Sequence, residues 1–157
     1  MITVKRSDST NVDFLRLIND LDSFLESRHK EEHAFCKQYN RPESIRFVVL
    51  VYDESGNAVG CGAIRSYLPD VMEIKRMFVS PYERKRGVAQ MILHELENWA
   101  AELGAKKCIL ETGTKLSEAI RLYERFGYNQ IPNYGQYKDV EGSLCFEKFL
   151  PTISKAI

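Results

Sequence analysis

The stretch from Val71 to Leu93 constrains the fold of this chain more than any other part of it. It begins as a strand that ends at Ser80–Pro81, continues as a short basic loop around Gly87, and becomes an amphipathic helix from Val88. The first turn of that helix contains no acidic residue. Backbone N–H groups at a helix start have no intrahelical partner, and the helix dipole adds partial positive charge there. The pattern therefore predicts a site for a phosphate or pyrophosphate group.

Length and composition indicate a single domain, residues 1–157, because a chain of this length with 44% hydrophobic residues can bury a substantial core. The 22 Lys and Arg residues balance 22 Asp and Glu residues, which argues against nucleic acid as a partner. The N-terminus lacks the apolar core of a signal peptide, and no run is long enough to span a membrane. We therefore expect a cytoplasmic protein without membrane contact.

The cysteines show no metal-ligand spacing, and two of them fall in apolar, strand-like runs. They are expected to be buried thiols in a reducing compartment. The four are Cys36, Cys61, Cys108 and Cys145.

Hydrophobic periodicity predicts helices between the strands. The first helix, with Ser9 or Thr10 as its cap, is predicted to reach about Arg28, and a second short helix is predicted within residues 29–44. The helix after the basic loop is predicted to end at Gly104. Its predicted polar face includes Glu97. A further helix is predicted to open at 112–114 and to stop at residue 127.

Apolar and alternating runs predict seven strands, and a glycine pair within one of them indicates close packing or a bulge. Gly60 and Gly62 are these glycines. The predicted strands span residues 1–5, 47–51, 58–67, 72–79, 107–110, 128–131 and 143–149. This order predicts an α/β (α+β) fold with a mixed central sheet of about six or seven strands and helices on both faces.

The basic loop fits neither of the common nucleotide-binding patterns. Gly87 is not followed by Lys and Ser or Thr, and three spaced glycines are absent. The sequence Arg84-x-x-Gly87-x-Ala89 instead resembles the acetyl-CoA signature of the GNAT superfamily of N-acetyltransferases, Gln/Arg-x-x-Gly-x-Gly/Ala. Glu73 precedes the signature at the spacing of a strand glutamate in that family, and the segment 117–128 is similar to its second signature helix. The resemblance covers roughly residues 46–149.

The resemblance implies the three-layer GNAT fold, acetyl-CoA as cosubstrate, and no metal. It places the pantetheine arm along the main chain of the strand before the loop, at Met77, Phe78 and Val79. The pyrophosphate would be held by the loop and the helix start, where three basic side chains add positive charge. These residues are Arg84, Lys85, Arg86, Gly87, Val88, Ala89 and Gln90. A solvated basic turn is the structural alternative.

The same resemblance implies two catalytic side chains. Glu73 would act as the base that removes a proton from the amine, directly or through an ordered water; the alternative is a glutamate paired with Lys75 or Arg76, or facing solvent. Tyr123 would give a proton to the leaving thiolate; the alternative is a core tyrosine. Ser117 stands where the family often has an Asn that touches the cofactor arm, and helix capping is its alternative role.

One motif points to a different class of protein. Residues 29–33 read H-x-x-E-H, a pattern that on a helix could bind zinc in a peptidase. The same acidic segment could instead attract a cationic acceptor, or be a solvated charged helix. Tyr134 and Tyr137, between the last two strands, could line the acceptor pocket. His94 is expected at the surface and Trp99 in the core.

The expected activity is transfer of an acetyl group from acetyl-CoA to a primary amine, directly, in a ternary complex. No cysteine lies in a nucleophile motif, which argues against an acetyl-enzyme. The alternative is an acyl-CoA-binding sensor or accessory protein without efficient transfer. The acceptor could be a small-molecule amine or a protein amine, and the resemblance also allows a homodimer.

Overall fold

A computed structural model of the chain describes residues 1–28, 45–84 and 86–152. These residues form seven strands and three α-helices. The strands are β1 (Thr3–Ser7), β2 (Phe47–Tyr52), β3 (Ala58–Leu68), β4 (Val71–Val79), β5 (Lys107–Gly113), β6 (Asn129–Ile131) and β7 (Ser143–Phe149). The helices are α1 (Val12–Arg28), α2 (Val88–Glu102) and α3 (Ser117–Arg125).

The strands form one mixed sheet in the order β1-β2-β3-β4-β5-β7-β6. β4 and β5 are parallel, and their pairing runs from Val71 with Lys107 to Ile74 with Leu110. β5 pairs antiparallel with β7 along its full length, and the pairs β1–β2, β2–β3 and β6–β7 are also antiparallel. The predicted mixed sheet of six or seven strands is confirmed.

Contacts divide the chain into two compact units. The first comprises Met1–Arg65 and Lys75–Leu96, and the second comprises Ser66–Ile74 and Glu97–Ile157.

In the first unit, β3 is covered on both faces, because its successive side chains point to opposite sides. Cys61 and Ala63 join the buried cluster that α1 forms with β2. Gly60 and Gly62 face α2: a Cβ at Gly62 would lie 2.6 Å from Cγ2 of Ile92. The close packing predicted from these glycines is confirmed, and a side chain at residue 62 would require the side chains of Met77, Ile92 and Leu96 to shift.

In the second unit, α3 packs through its aromatic face. The ring of Tyr123 contacts Tyr128 edge to face at 5.9 Å and lies 6.4 Å from Phe146 on β7. Burial of this face holds the short helix in place, since a nine-residue helix is marginal alone.

Three local expectations were wrong. The side chain of Asn11, not Ser9 or Thr10, caps α1 by accepting the N–H of Phe14. β5 continues through residue 113, so α3 begins at Ser117 rather than at 112–114. Glu97, predicted on the polar face of α2, is buried.

None of the described helices is long and apolar enough to cross a membrane.

Candidate active site

The loop before α2 presents backbone N–H groups at the helix start. Gly87 has φ +78°, a left-handed conformation that favours glycine. The N–H of Met91 donates to the carbonyl of Gly87 at 3.1 Å. The N–H groups of Val88, Ala89 and Gln90 precede that bond, and the first turn carries no acidic residue. This geometry suits an anion such as a pyrophosphate.

Arg84 is oriented by two contacts within the first unit. Its Nε–H donates to the carbonyl of Val79 at 3.1 Å, and its guanidinium lies over the ring of Phe24 at 5.3 Å. The side chain thus spans from the end of β4 to α1, with a fixed positive charge at the loop. Lys85 lies outside the described residues.

Arg86 is held by two carboxylates, which the sequence pattern did not indicate. Its guanidinium donates to Glu83 at 2.6 Å and to Glu54 at 3.0 Å. Both contacts raise the pKa of Arg86. The pKa of Glu54 is lowered first by a hydrogen bond from its own backbone N–H and then by the Arg86 guanidinium. The positive charge of Arg86, one of the three predicted for the loop, is therefore compensated by Glu83 and Glu54.

The strand before the loop contains a backbone irregularity. Arg76 has φ +58°, unusual for a residue other than glycine, and its guanidinium forms a 2.7 Å ion pair with Asp22 of α1. The Cys61 thiol donates to the Arg76 carbonyl at 3.4 Å. Met77 and Val79, whose main chain is proposed to hold the pantetheine arm, are partly exposed, while Phe78 is buried.

Glu73 of β4 lies in the second unit and is fully buried. The hydroxyl of Tyr134 donates to its Oε2 at 2.6 Å. The burial excludes the solvent-facing alternative for Glu73. Burial and the Glu73 carboxylate raise the pKa of Tyr134, so this hydroxyl stays protonated as a donor at neutral pH.

The segment between β6 and β7 fixes Tyr134. Its ring meets Tyr67 and Tyr137 edge to face, at 5.2 and 5.7 Å between centroids. Asn133 Nδ2 lies 3.1, 3.3 and 3.0 Å from the carbonyls of Tyr137, Val140 and Ser143. Sequence reasoning named Tyr134 as a pocket residue but missed its bond to Glu73, because 61 residues separate the two.

Tyr123 is buried on α3, as predicted. Burial first, and then the charge of Glu111, raise the pKa of its hydroxyl. Ser117 is the exposed first residue of α3, and Leu116 occupies the cap position without a side-chain bond. Helix capping by Ser117 is therefore wrong.

Some of the remaining residues that the sequence singled out lie outside the ranges that the structure describes. The H-x-x-E-H segment, residues 29–33, lies outside the described residues, as does Cys36. His94 is exposed and Trp99 is partly buried. Over the ranges 1–28, 45–84 and 86–152, no group of three His, Cys, Asp or Glu side chains is placed to hold a metal ion.

Known proteins are similar to this chain in sequence. The model of the acetyltransferase (GNAT) family matches residues 12–128. An IAA acetyltransferase of Azospirillum brasilense is 33% identical over 150 residues, which cover 94% of this chain and 97% of that protein. YsnE, an uncharacterized N-acetyltransferase of Bacillus subtilis (strain 168), is 30% identical over 151 residues, covering 94% and 99%.

Solved structures of other proteins have the same fold as this chain. A crystal structure of a candidate acyl-CoA N-acyltransferase from Klebsiella pneumoniae has a TM-score of 0.81 at 29% identity, with 96% of this chain and 98% of that chain covered. A GNAT family acetyltransferase from Elizabethkingia anophelis, crystallised with acetyl-CoA bound, shares the fold with a TM-score of 0.69 at 15% identity, covering 95% and 98%.

The chain belongs to the acetyltransferase (GNAT) family, since the family model spans well over half of it. Within that class it is an acetyl-CoA-dependent N-acetyltransferase.

Proposed function

We propose that the protein, acting as one catalytic domain, transfers an acetyl group from acetyl-CoA directly to a primary amine in a ternary complex. The amine nitrogen forms a bond to the thioester carbonyl carbon, and the carbon–sulfur bond breaks. The nitrogen loses a proton to Glu73, directly or through a water, and the departing thiolate gains one from Tyr123. The observation that carries the proposal is the fully buried Glu73 carboxylate with its hydrogen-bonded tyrosine.

The need for a base follows from the chemistry of the acceptor. A lysine-like amine has a pKa of about 10.4, so releasing its proton at pH 7 costs about 4–5 kcal/mol. A positioned carboxylate can lower this barrier, and general bases typically contribute about 10²- to 10⁴-fold in rate.

Tyr123 suits the opposite proton transfer. Because burial raises the pKa of its hydroxyl, Tyr123 is protonated at neutral pH, which is the form that a general acid needs. We expect Tyr123→Phe to lower turnover at least about tenfold with little change in acetyl-CoA affinity. Unchanged turnover, measured by thiol release, would remove the acid role.

Most of the residues proposed to bind the cosubstrate belong to the first unit. The N–H groups from Arg86 to Gln90 would hold the pyrophosphate, with Arg84 adding charge. Lys85 and Ser117 are retained as proposed contacts. The main chain of Met77, Phe78 and Val79 would pair with the pantetheine arm as an added strand.

The acceptor is proposed to be a small-molecule amine or a protein amine. The test is incubation with acetyl-CoA and an amine panel while CoA thiol is monitored. The compound in the name of the Azospirillum relative, IAA, belongs in the panel. Amine-dependent thiol release is expected, whereas CoA binding without it would favour a sensor. We further propose a cytoplasmic enzyme, and gel filtration would test for a homodimer.

A further inference from the structure

We infer that Tyr134 is a positioning residue for the reaction, which acts by holding the Glu73 carboxylate in the orientation needed to accept the amine proton. The inference rests on the proposed role of Glu73 as base and names the residue that makes that role effective.

The first support is the hydrogen bond itself. Glu73 is fully buried, and an ionised carboxylate away from water needs donors to remain charged and oriented. The Tyr134 hydroxyl supplies one at 2.6 Å from Oε2, a length typical of a charge-assisted O–H···O⁻ bond. Burial and the Glu73 charge raise the pKa of Tyr134, so its hydroxyl remains available as the donor at neutral pH.

The second support is that Tyr134 is itself fixed on more than one side. Tyr67 and Tyr137 contact its ring edge to face. The next residue, Gly135, has φ +53°, and a Cβ there would come within 3.0 Å of the Tyr67 hydroxyl. A side chain in this position would be strained and would require the Tyr67 hydroxyl to shift.

The third support is the bracing of the segment that carries Tyr134. The side-chain amide of Asn133 donates toward the main-chain carbonyls of residues four, seven and ten positions further along the chain, the last at the start of β7. One amide nitrogen thus gathers the segment into a fixed turn. These contacts fix the position of the Tyr134 hydroxyl beside Glu73. A carboxylate that is oriented in advance in this way loses little entropy in the reaction.

The test is a double-mutant cycle of Glu73→Gln and Tyr134→Phe, with kcat and the KM for acetyl-CoA measured for all four proteins. Tyr134→Phe keeps the ring and removes the hydroxyl. We expect it to lower kcat about tenfold and to leave the KM within twofold. We expect Glu73→Gln to lower kcat about 100-fold or more, and adding Tyr134→Phe to that variant to have no further effect.

The matched control is Tyr128→Phe, which removes a hydroxyl that donates to another buried glutamate, Glu97, at 2.8 Å. Its kcat should equal that of the wild type. An equal loss of kcat in Tyr128→Phe and Tyr134→Phe would overturn the inference, because the effect would then be general to the core.

The remaining outcomes are distinct. Wild-type kcat in Glu73→Gln would overturn the base proposal and the inference with it. Wild-type kcat in Tyr134→Phe, or a full tenfold effect of Tyr134→Phe in the Glu73→Gln background, would overturn the inference alone. Should Tyr134→Phe fail to fold, Asn133→Ala replaces it: a several-fold lower kcat at unchanged KM supports the inference, and an unchanged kcat overturns it.

Discussion

Two tyrosines in the second unit donate hydrogen bonds to buried glutamates, and the two pairs have different surroundings. Tyr134 donates to Glu73 of β4 at 2.6 Å, and Tyr128 donates to Glu97 of α2 at 2.8 Å. Burial and the neighbouring carboxylate raise the pKa of both tyrosines. Glu97 has in addition an ion pair of 2.8 Å with the ammonium of Lys148.

The surroundings of Lys148 indicate a structural role for the Glu97 pair. Its ammonium lies 4.4 Å from the ring centre of Phe126 and 5.6 Å from that of Tyr128. The network therefore joins α2, the end of α3 and β7. The same two residue types thus serve different purposes: one pair connects elements of the core, and the other, on our proposal, orients a base.

The largest expected effects come from exchanging the two carboxylates for amides. Glu73→Gln should lose about 100-fold or more in kcat while melting close to the wild type. Glu97→Gln should keep kcat within twofold, but lose about 2 kcal/mol of unfolding free energy, because Lys148 would lose its anionic partner. Thermal unfolding, with a drop of roughly 4–8 °C expected for Glu97→Gln, and steady-state kinetics separate the two. A comparable kcat loss in both variants would contradict the division of roles.

The contribution of Lys148 to stability can be compared with that of Lys107, another lysine of the same sheet. Lys148→Met keeps an apolar stem beside Phe126 and should lower the unfolding free energy by about 1–2 kcal/mol. Lys107→Met breaks a more exposed pair with Glu147, 2.9 Å long, and should cost less than about 1 kcal/mol. Urea denaturation gives both values. Equal losses of unfolding free energy in the two variants would show that the deeper burial of the Glu97–Lys148 pair does not increase its contribution to stability.

Alkaline pH should weaken the fold through buried groups that keep their protons. Burial raises the pKa of the Cys61 and Cys108 thiols from 9.0 to about 12, and the Glu97 charge adds to the effect at Cys108. The unfolded chain releases these protons first, so the stability they contribute is complete below about pH 9 and is lost as the pH rises toward 12.

Tyr128 and Tyr134 should add to that slope above about pH 10, the ordinary value for tyrosine. Tyr128→Phe and Tyr134→Phe should therefore each flatten the fall of melting temperature between pH 10 and 11. If only one of them does so, the two pairs differ in burial as well as in role. Thermal unfolding measured from pH 8 to 11 provides the check.

The smallest effect is expected at an exposed pair in the first unit. Glu54→Gln removes one of the two carboxylates that hold Arg86. Because exposed ion pairs contribute little, the melting temperature should not change measurably. The KM for acetyl-CoA should fall about twofold at low salt and return at high salt, since Arg86 gains freedom to meet a phosphate. A rise in KM would instead show that Glu54 positions Arg86 for binding.

The sequence predicts best what depends on local periodicity. The strands, the long helices and the close packing at Gly60 and Gly62 follow from residue spacing and from the size of a missing side chain, although the sequence does not name α2 as the partner. The start of α3 was missed because Thr112, which can open a helix, also fits a strand, and pairing with β7 extends β5 past it.

Contacts between distant residues could not be predicted in the same way. Glu97 looks like a surface residue on a helix projection, and its burial is made favourable by Tyr128 and Lys148, which are 31 and 51 residues away. The same limit applies to the candidate site. The resemblance of the chain to a family indicated a functional carboxylate at residue 73. The position of its hydrogen-bond donor, Tyr134, depends on how the loop between β6 and β7 folds.

The hydrogen bonding of Asn133 has a consequence for engineering. Because this amide closes the segment between β6 and β7 from within, the conformation of the segment depends little on its exposed side chains, among them Lys138, Asp139 and Glu141. A library that varies these three residues and keeps Asn133, Tyr134 and Gly135 should yield folded enzymes at high frequency. The segment can then be treated as an exchangeable module for screening new acceptors.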